Sequence, residues 1–320
     1  MKPRLLIAES QDFSPTALQL LQTAFEIELK DLNRAELKKR IGDCEVLWVR
    51  LRTLLDREML DAAPNLKIIA TNTTGLNHLD LELAEKRRIT IISLRGETDF
   101  LRTVRATAEL TLGLTLACLR RIPLAHVSVL EGQWNRTPFK GSEIFDKRVG
   151  IIGYGRLGSI TAQLFSAFGA HVSVSDPRLA DQTIVDGFAI QSLPELFQTS
   201  EIISLHASYS VENERMISAR EWSQARQGLV FVNTARGELV DERDMLEALE
   251  SRRLGGLGLD VISHEHAESS TLRRLRELAR LGLPVVLTPH IGGYTYESSA
   301  RTEEFLARKL VESLTRESLS

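Results

Sequence analysis

The chain has 320 residues, 43% hydrophobic and 26% charged, with a formal net charge of -3. That length accommodates two domains of ordinary size, each with its own core. The near-neutral charge excludes the electrostatic footprint of a nucleic-acid or anionic-membrane binder, and no apolar stretch approaches the ~20 residues that span a bilayer.

Residues 4–8 read as a first strand and not as a signal sequence, because the apolar run is short and is broken by Glu9 and Asp12. A cytoplasmic location is expected. Ser14-Pro15 supply an N-cap and a first helical position for a helix expected to run through Phe25. Apolar runs at 46–49, 66–70 and 89–93 then alternate with helical or turn material, which predicts a small parallel sheet. Residues 103–119 form a long apolar helical stretch, with a hinge expected between Arg102 and Arg105. The segment 131–139, with Trp134 and Phe139, is irregular and reads as a surface loop or a partner contact. Strands are predicted at 149–152, 171–175, 202–205, 230–233, 256–261 and 285–287, the texture of a doubly wound sheet. After Glu297, the spacing of Phe305, Leu306, Leu310 and Leu314 predicts an amphipathic helix that packs back on the first domain. The domain limits are therefore 1–102 completed by 294–320, and 103–293. Cys44 and Cys118 have neither metal-ligand nor redox spacing; both read as buried, reduced thiols, and no metal is expected.

Gly153, Gly155 and Gly158 form a G-x-G-x-x-G pattern between an apolar strand and a helical apolar face. Gly153 permits the tight turn, Gly155 lets the backbone approach a pyrophosphate, and Gly158 lets the helix pack close to the strand. The next strand ends at Asp176, where a carboxylate can accept hydrogen bonds from an adenosine ribose, so the expected cofactor is NAD, favoured over NADP despite Arg178 nearby. An Asp that only caps the turn at Pro177 is the structural alternative.

Arg236 follows the strand ending at Asn233, in Asn233-Thr234-Ala235-Arg236-Gly237, and a guanidinium there can hold a carboxylate or polarise a carbonyl. His290 follows the last strand, in Thr288-Pro289-His290-Ile291-Gly292-Gly293, and can exchange the proton that accompanies hydride transfer. Glu265 is placed to hydrogen-bond His290 and favour its protonated form. Taken alone, such an arginine is more often a salt-bridge residue and such a histidine a cap or core residue.

Over nearly its whole length the chain resembles the D-isomer-specific 2-hydroxyacid dehydrogenases, the family of D-3-phosphoglycerate dehydrogenase and glyoxylate/hydroxypyruvate reductase. The likeness rests on residues 149–158, 233–241 and 258–261, and on 288–293 followed by Thr295 and Glu297. It implies an α/β fold of two domains, with a Rossmann NAD-binding domain inserted into a flavodoxin-like substrate domain and an active site between them. It implies that Arg236, Glu265 and His290 are catalytic, Arg236 also binding substrate. Contacts to NAD would come from Gly153, Gly155, Arg156, Leu157, Gly158, Asp176, His206, Thr234, Ala235, Arg236, Asp260, His290, Gly292 and Gly293. Thr74, Gly75 and Leu76 would cradle the substrate carboxylate, and Arg50, with Arg52 nearby, is a candidate for an anionic substrate tail. The activity implied is interconversion of a D-2-hydroxy acid and its 2-keto acid, with 3-phosphoglycerate among the candidates; the alternatives are a glyoxylate/hydroxypyruvate reductase or an NAD-sensing, corepressor-like binding protein. A homodimer through the region of Trp134 and Phe139 is expected.

Two departures stand out. His266 follows Glu265 where the family has proline, and Ser208 replaces the proline of the usual His-x-Pro at His206-Ala207-Ser208. Formate dehydrogenase, a relative with Gln at the position of Glu265, fits less well. A C-terminal regulatory extension, and serine feedback through it, are not expected.

Overall fold

The computed structural model describes residues 2–263, 265 and 269–317. The chain folds as two compact units, one formed by Met1–Val104 with Thr295–Ser320 and the other by Arg105–Tyr294.

In the first unit the strands are β1 (Arg4–Ile7), β2 (Glu26–Leu29), β3 (Val46–Val49), β4 (Ile68–Thr71) and β5 (Thr90–Ser93). Helices α1 (Pro15–Gln22), α2 (Arg34–Arg40), α3 (Arg57–Asp61) and α4 (Leu81–Lys86) lie between them, and α5 (Thr98–Leu101) follows β5. The five strands are parallel, in the order β2-β1-β3-β4-β5, the flavodoxin-like order. Side chains alternate across the pleat, so Leu6, Leu47 and Ile69 enter one core with Leu37. Leu5, Ile7, Trp48 and Ile68 enter the other, against Leu306, Ala307 and Leu310 of the C-terminal helix. Ser14 caps α1 as expected, accepting from the Ala17 N–H at 3.3 Å. The helix stops at Gln22, short of Phe25, because the Thr23 hydroxyl bonds back to the Leu20 carbonyl at 2.6 Å and closes the turn. Strand β2 was not expected from the sequence: it lies at the sheet edge, where Glu26 and Glu28 replace the apolar run that marks a buried strand.

Among the described residues of this unit, two carboxylates are buried. Glu9 accepts the backbone N–H groups of Arg50, Arg52 and Thr53 at 3.1, 3.3 and 3.0 Å, and so shapes the loop after β3. Glu303 is fully buried, receives the Ser14 N–H at 2.7 Å and pairs with the Arg50 guanidinium. Burial pushes the Glu303 carboxyl above the usual range, and Arg50 opposes that shift.

The second unit runs α6 (Ala106–Leu119), α7 (Ile122–Leu130), β6 (Arg148–Ile152), α8 (Arg156–Ala167), β7 (His171–Ser175), β8 (Ile184–Val185), β9 (Phe188–Ile190) and α9 (Leu193–Thr199). It continues through β10 (Ile202–Leu205), α10 (Ala219–Gln224), β11 (Leu229–Asn233), α11 (Glu242–Glu250), β12 (Leu254–Leu259), α12 (Ser270–Arg280) and β13 (Val285–Leu287). Helix α13 (Tyr296–Glu317) then returns the chain to the first unit. The sheet order is β13-β12-β11-β10-β6-β7-β9-β8, parallel throughout except for the β8–β9 hairpin. Sequence order reverses direction between β6 and β10, and ligands of such sheets bind at the carboxyl ends beside that switch. The added hairpin turns on Asp186-Gly187, both at positive φ, as a two-residue turn of the favoured hand requires. Helix α7 was not expected either. A left-handed Arg121 breaks it from α6, Pro123 starts it, and none of its residues is buried.

The Arg50–Glu303 pair yields a stability prediction. Arg50→Ala leaves a carboxylate unpaired in the core, so unit 1 should lose about 3 kcal/mol, read from denaturant unfolding. Acidification should recover part of that loss, because a protonated Glu303 needs no counter-charge; a loss that is independent of pH would exclude the carboxylate as its cause.

Candidate active site

Strand β6 ends in a turn that contacts its neighbours backbone to backbone. Gly153 sits at φ +86, and a Cβ there would lie 2.6 Å from the Ala207 nitrogen. A Cβ on Gly158 would lie 2.0 Å from the Gly153 carbonyl oxygen, whereas one on Gly155, the N-cap of α8, would meet no backbone and only the end of the Arg178 side chain. The N-terminus of α8, with Arg156 and Leu157 in its first turn, therefore presents unblocked main chain and the positive end of a helix dipole, which is what a pyrophosphate requires. NAD fits this cradle by that test.

Asp176, 6% exposed, ends the next strand. One of its oxygens accepts from the Arg178 N–H and Nε at 3.0 and 2.9 Å; the other accepts from the Tyr154 N–H at 2.9 Å and an Arg178 terminal nitrogen at 2.6 Å. The Arg178 side-chain bond is the main reason the carboxyl is pushed down to about 2. The guanidinium reaches to 4.0 Å from where a Gly155 Cβ would be. At the end of β10, the Ser204 hydroxyl meets His206 Nε2 at 2.8 Å, and burial pushes the imidazole down to about 3, so it is neutral.

After β11, the Asn233 side chain accepts from the Ala235 N–H and donates to the Arg236 carbonyl, both at 2.9 Å, which fixes the turn that carries Arg236. The Arg236 guanidinium donates to the Ala235 carbonyl at 2.6 Å. Burial lowers its pKa, and the charges of Glu265 and Glu238 oppose that. The Thr234 hydroxyl meets that of Thr111 at 2.8 Å. Gly237 is indispensable, since a Cβ there would fall 2.0 Å from the Ile262 carbonyl carbon of the loop bearing Glu265.

Asp260 closes β12 and organises the next loop. Its carboxylate accepts from the Thr288 hydroxyl at 2.6 Å and from the N–H groups of Ile291 and Gly292 at 2.8 Å, while its carbonyl accepts the His290 N–H at 2.8 Å. These bonds hold the turn that carries His290. His290 sits at φ +53 with Nδ1 2.6 Å from a Glu265 oxygen. Gly292 packs against Asp260 and Thr107, and Gly293 is open. His264 and His266, which flank Glu265, lie outside the described residues.

Thus the carboxyl end of one sheet gathers the glycine turn, Asp176, His206, Thr234 to Arg236, Asp260, Glu265 and His290. In the first unit, Thr74 is exposed and Gly75 and Leu76 half-buried in the turn after β4, where the Thr73 hydroxyl donates to the Gly75 carbonyl at 2.8 Å. Arg50, expected to bind an anionic tail, is engaged by Glu303 and by the Gln11 carbonyl at 2.9 Å; Arg52 pairs with Asp31 at 2.6 Å. Sequence reasoning quoted Asn233 and Gly237 inside a motif without seeing their work. It missed Glu9, Glu303 and Thr111, whose polar partners are remote in sequence. Among the described residues no cluster of His, Cys, Asp or Glu is arranged to hold a metal, and no single helix is long and apolar enough to cross a membrane.

Residues 112–292 match the family model described as D-isomer specific 2-hydroxyacid dehydrogenase, NAD binding domain. The hydroxypyruvate reductase of Thermotoga maritima is 32% identical over 311 residues, covering 97% of this chain and 98% of its own. A D-3-phosphoglycerate dehydrogenase of Mycobacterium tuberculosis is 34% identical over 301 residues, covering 93% of this chain and 54% of its own, so the chain spans about half the length of such relatives. Among solved structures, the TT0316 protein from Thermus thermophilus superposes with a TM-score of 0.82 at 30% identity, covering 98% of this chain and 97% of that one. The D-lactate dehydrogenase from Aquifex aeolicus, complexed with NAD and lactic acid, also gives 0.82, at 26% identity, covering 99% and 96%.

The contact of Gly158 with the Gly153 carbonyl is between main-chain atoms, so no rotamer change can relieve a larger residue there. Gly158→Ala should cost about 1–3 kcal/mol, read as a lower Tm, and should weaken NADH binding in a fluorescence titration. Unchanged NADH affinity would show that the turn tolerates the shift.

Proposed function

Because the chain belongs to the D-isomer specific 2-hydroxyacid dehydrogenase family, we propose that it is an NAD-dependent oxidoreductase interconverting a D-2-hydroxy acid and its 2-keto acid. The observation that carries this reading is the 2.6 Å contact between His290 Nδ1 and Glu265, on a turn anchored by Asp260 at the sheet edge that also bears Arg236. With Nδ1–H donating to the carboxylate, Nε2 is the nitrogen that exchanges a proton with the substrate oxygen. In the reducing direction Nε2–H gives its proton to the carbonyl oxygen, and in the oxidising direction Nε2 accepts the hydroxyl proton. Arg236 holds the substrate carboxylate and polarises the carbonyl; its partial burial strengthens both effects. When bound, NAD takes or gives the hydride. Main chain at 153–158 holds the pyrophosphate, Asp176 the ribose hydroxyls once the exposed Arg178 swings aside, and His206, Thr234, Ala235 and Gly292 line the remaining cofactor surface. Thr74, Gly75 and Leu76, in the unit that serves as substrate domain, cradle the substrate carboxylate.

Within this class a specific observation favours a glyoxylate or hydroxypyruvate reductase. Arg50, the residue suited to a phosphorylated tail, already neutralises the buried Glu303, and Arg52 pairs with Asp31. A panel of glyoxylate, hydroxypyruvate and the keto acid of 3-phosphoglycerate, followed by NADH oxidation, decides between them. His290→Asn should retain NADH binding and lose about 10² to 10⁴ in turnover, the contribution of a positioned acid/base. Intact NADH binding with no turnover of any 2-keto acid by the unmodified protein would replace the enzyme with an NAD-sensing binding protein.

We further propose a cytoplasmic homodimer. Both cysteines are free and buried, which suits a reducing compartment. Helix α7 exposes Ile122, Val127, Val129 and Leu130, and Trp134 beyond it is 91% exposed, an apolar patch that a second copy would remove from water. Phe139 is half-buried and contributes less to that patch. Light scattering should give twice the 35.8 kDa chain mass, and Leu130→Asp with Trp134→Ala should shift it towards the monomer. A monodisperse monomer in the unmodified protein would reject the dimer.

A further inference from the structure

At the amino ends of β10, β11 and β12, the sheet edge opposite the glycine turn, Arg236 and His290, the second unit carries a half-open cleft of about 360 Å³. Its ionisable lining is Arg121, Lys140, Lys147, Arg226 and Arg252 against a single acid, Glu201. That acid is already shared by Lys147 at 3.3 Å and Arg148 at 3.1 Å. Arg121 donates to the Pro138 and Gly282 carbonyls at 3.0 and 3.1 Å, bonds that leave its charge uncompensated.

Basic residues at this edge of a parallel sheet commonly satisfy the carbonyls that end its helices. Arg148 and Arg253 do so here, through Thr199 and Ala225. Lys140, Arg226 and Arg252 line the cavity differently: among the described residues, no acid lies within ion-pair distance of them and their side chains make no hydrogen bond. At two points in the wall between them, main chain packs directly on main chain. Gly141 passes so close to α6 that a Cβ would sit 2.2 Å from the Leu119 carbonyl oxygen, and Gly255 so close to Gly228 that one would sit 2.5 Å from its carbonyl oxygen. Like charges held together by such backbone contacts repel one another, and a bound anion relieves that repulsion.

We propose that this cavity is a binding site for a small polyanion carrying a phosphoryl group or several carboxylates. The size suits a small metabolite, and the mixture of guanidinium and ammonium groups suits oxyanions of two or more charges. The site is separate from the cofactor cradle, so occupancy of the two is independent in space.

The test titrates inorganic pyrophosphate and citrate, by calorimetry at low ionic strength, into the full chain with NADH saturating the glycine turn. Binding of either probe at one per chain, weakened about tenfold or more in R226Q/R252Q, is expected. A response to pyrophosphate alone assigns phosphoryl ligands, and a response to citrate alone assigns carboxylates. Unchanged NADH affinity in the variant checks that its sheet is intact; if it is lost, Lys140→Gln, at an exposed position outside the strands and helices, carries the same comparison. No heat with either probe, equal affinity in the variants, or equal competition by acetate at matched ionic strength would overturn the site. Tighter binding of a duplex oligonucleotide than of pyrophosphate would overturn it in favour of a nucleic-acid surface.

Discussion

The carboxylate of Asp260, buried at the end of β12, collects a hydroxyl and two N–H groups from one turn, and its own carbonyl collects the N–H of His290. An ionised group removed from water is stable only when its lone pairs are filled, and here every donor comes from residues 288–292. The same bonds make the turn rigid enough to hold a histidine in the left-handed region, a conformation that costs about 1 kcal/mol for a residue with a Cβ. Everything proposed for His290 therefore depends on a side chain that need not touch the substrate. Glu265 aims the ring; Asp260 places the backbone from which the ring is aimed.

Much of this was legible beforehand because it depends on local pattern. A G-x-G-x-x-G between an apolar strand and a helical face has one economical reading, and the buried strands of both sheets announce themselves as short apolar runs. What was not legible depends on partners remote in sequence. Arg50 looks like a surface anion site until Glu303 is seen beside it, and Glu303 in turn reads as an ordinary exposed helix residue. Strand β2 carries edge chemistry, so its glutamates hide it. Helix α7 is apolar without a polar face and follows closely on α6, so periodicity cannot delimit it; a left-handed Arg121 does. The Asp186-Gly187 hairpin was a readable signal that went unread.

Charge is managed differently at three places. Asp176 is stabilised by Arg178, which is largely exposed and free to reorient when a ribose competes for the same oxygens. Glu303 and Arg50 are sealed together, so their pairing belongs to the architecture of the first sheet. Arg236 is desolvated with only carboxylates at a distance to support its charge, which leaves its attraction for an anion undiminished. These differences in mobility and compensation separate side chains prepared to meet a ligand from those that hold the protein together, a distinction that residue type alone does not give.

The return of α13 to the first unit sets an order on biosynthesis. Residues 105–294 form a contiguous piece whose cores are complete within themselves, so they can fold as they leave the ribosome. The sheet of the first unit emerges earlier yet lacks one wall of its core, because Leu306, Ala307, Leu310 and the counter-ion of Arg50 follow the whole second unit in the chain. Until then one face of that sheet, including Trp48 and Ile68, stands exposed to other nascent chains. Of the two units, the one begun first is thus the one finished second, and a chain stopped before residue 303 would leave a folded cofactor unit tethered to an aggregation-prone sheet.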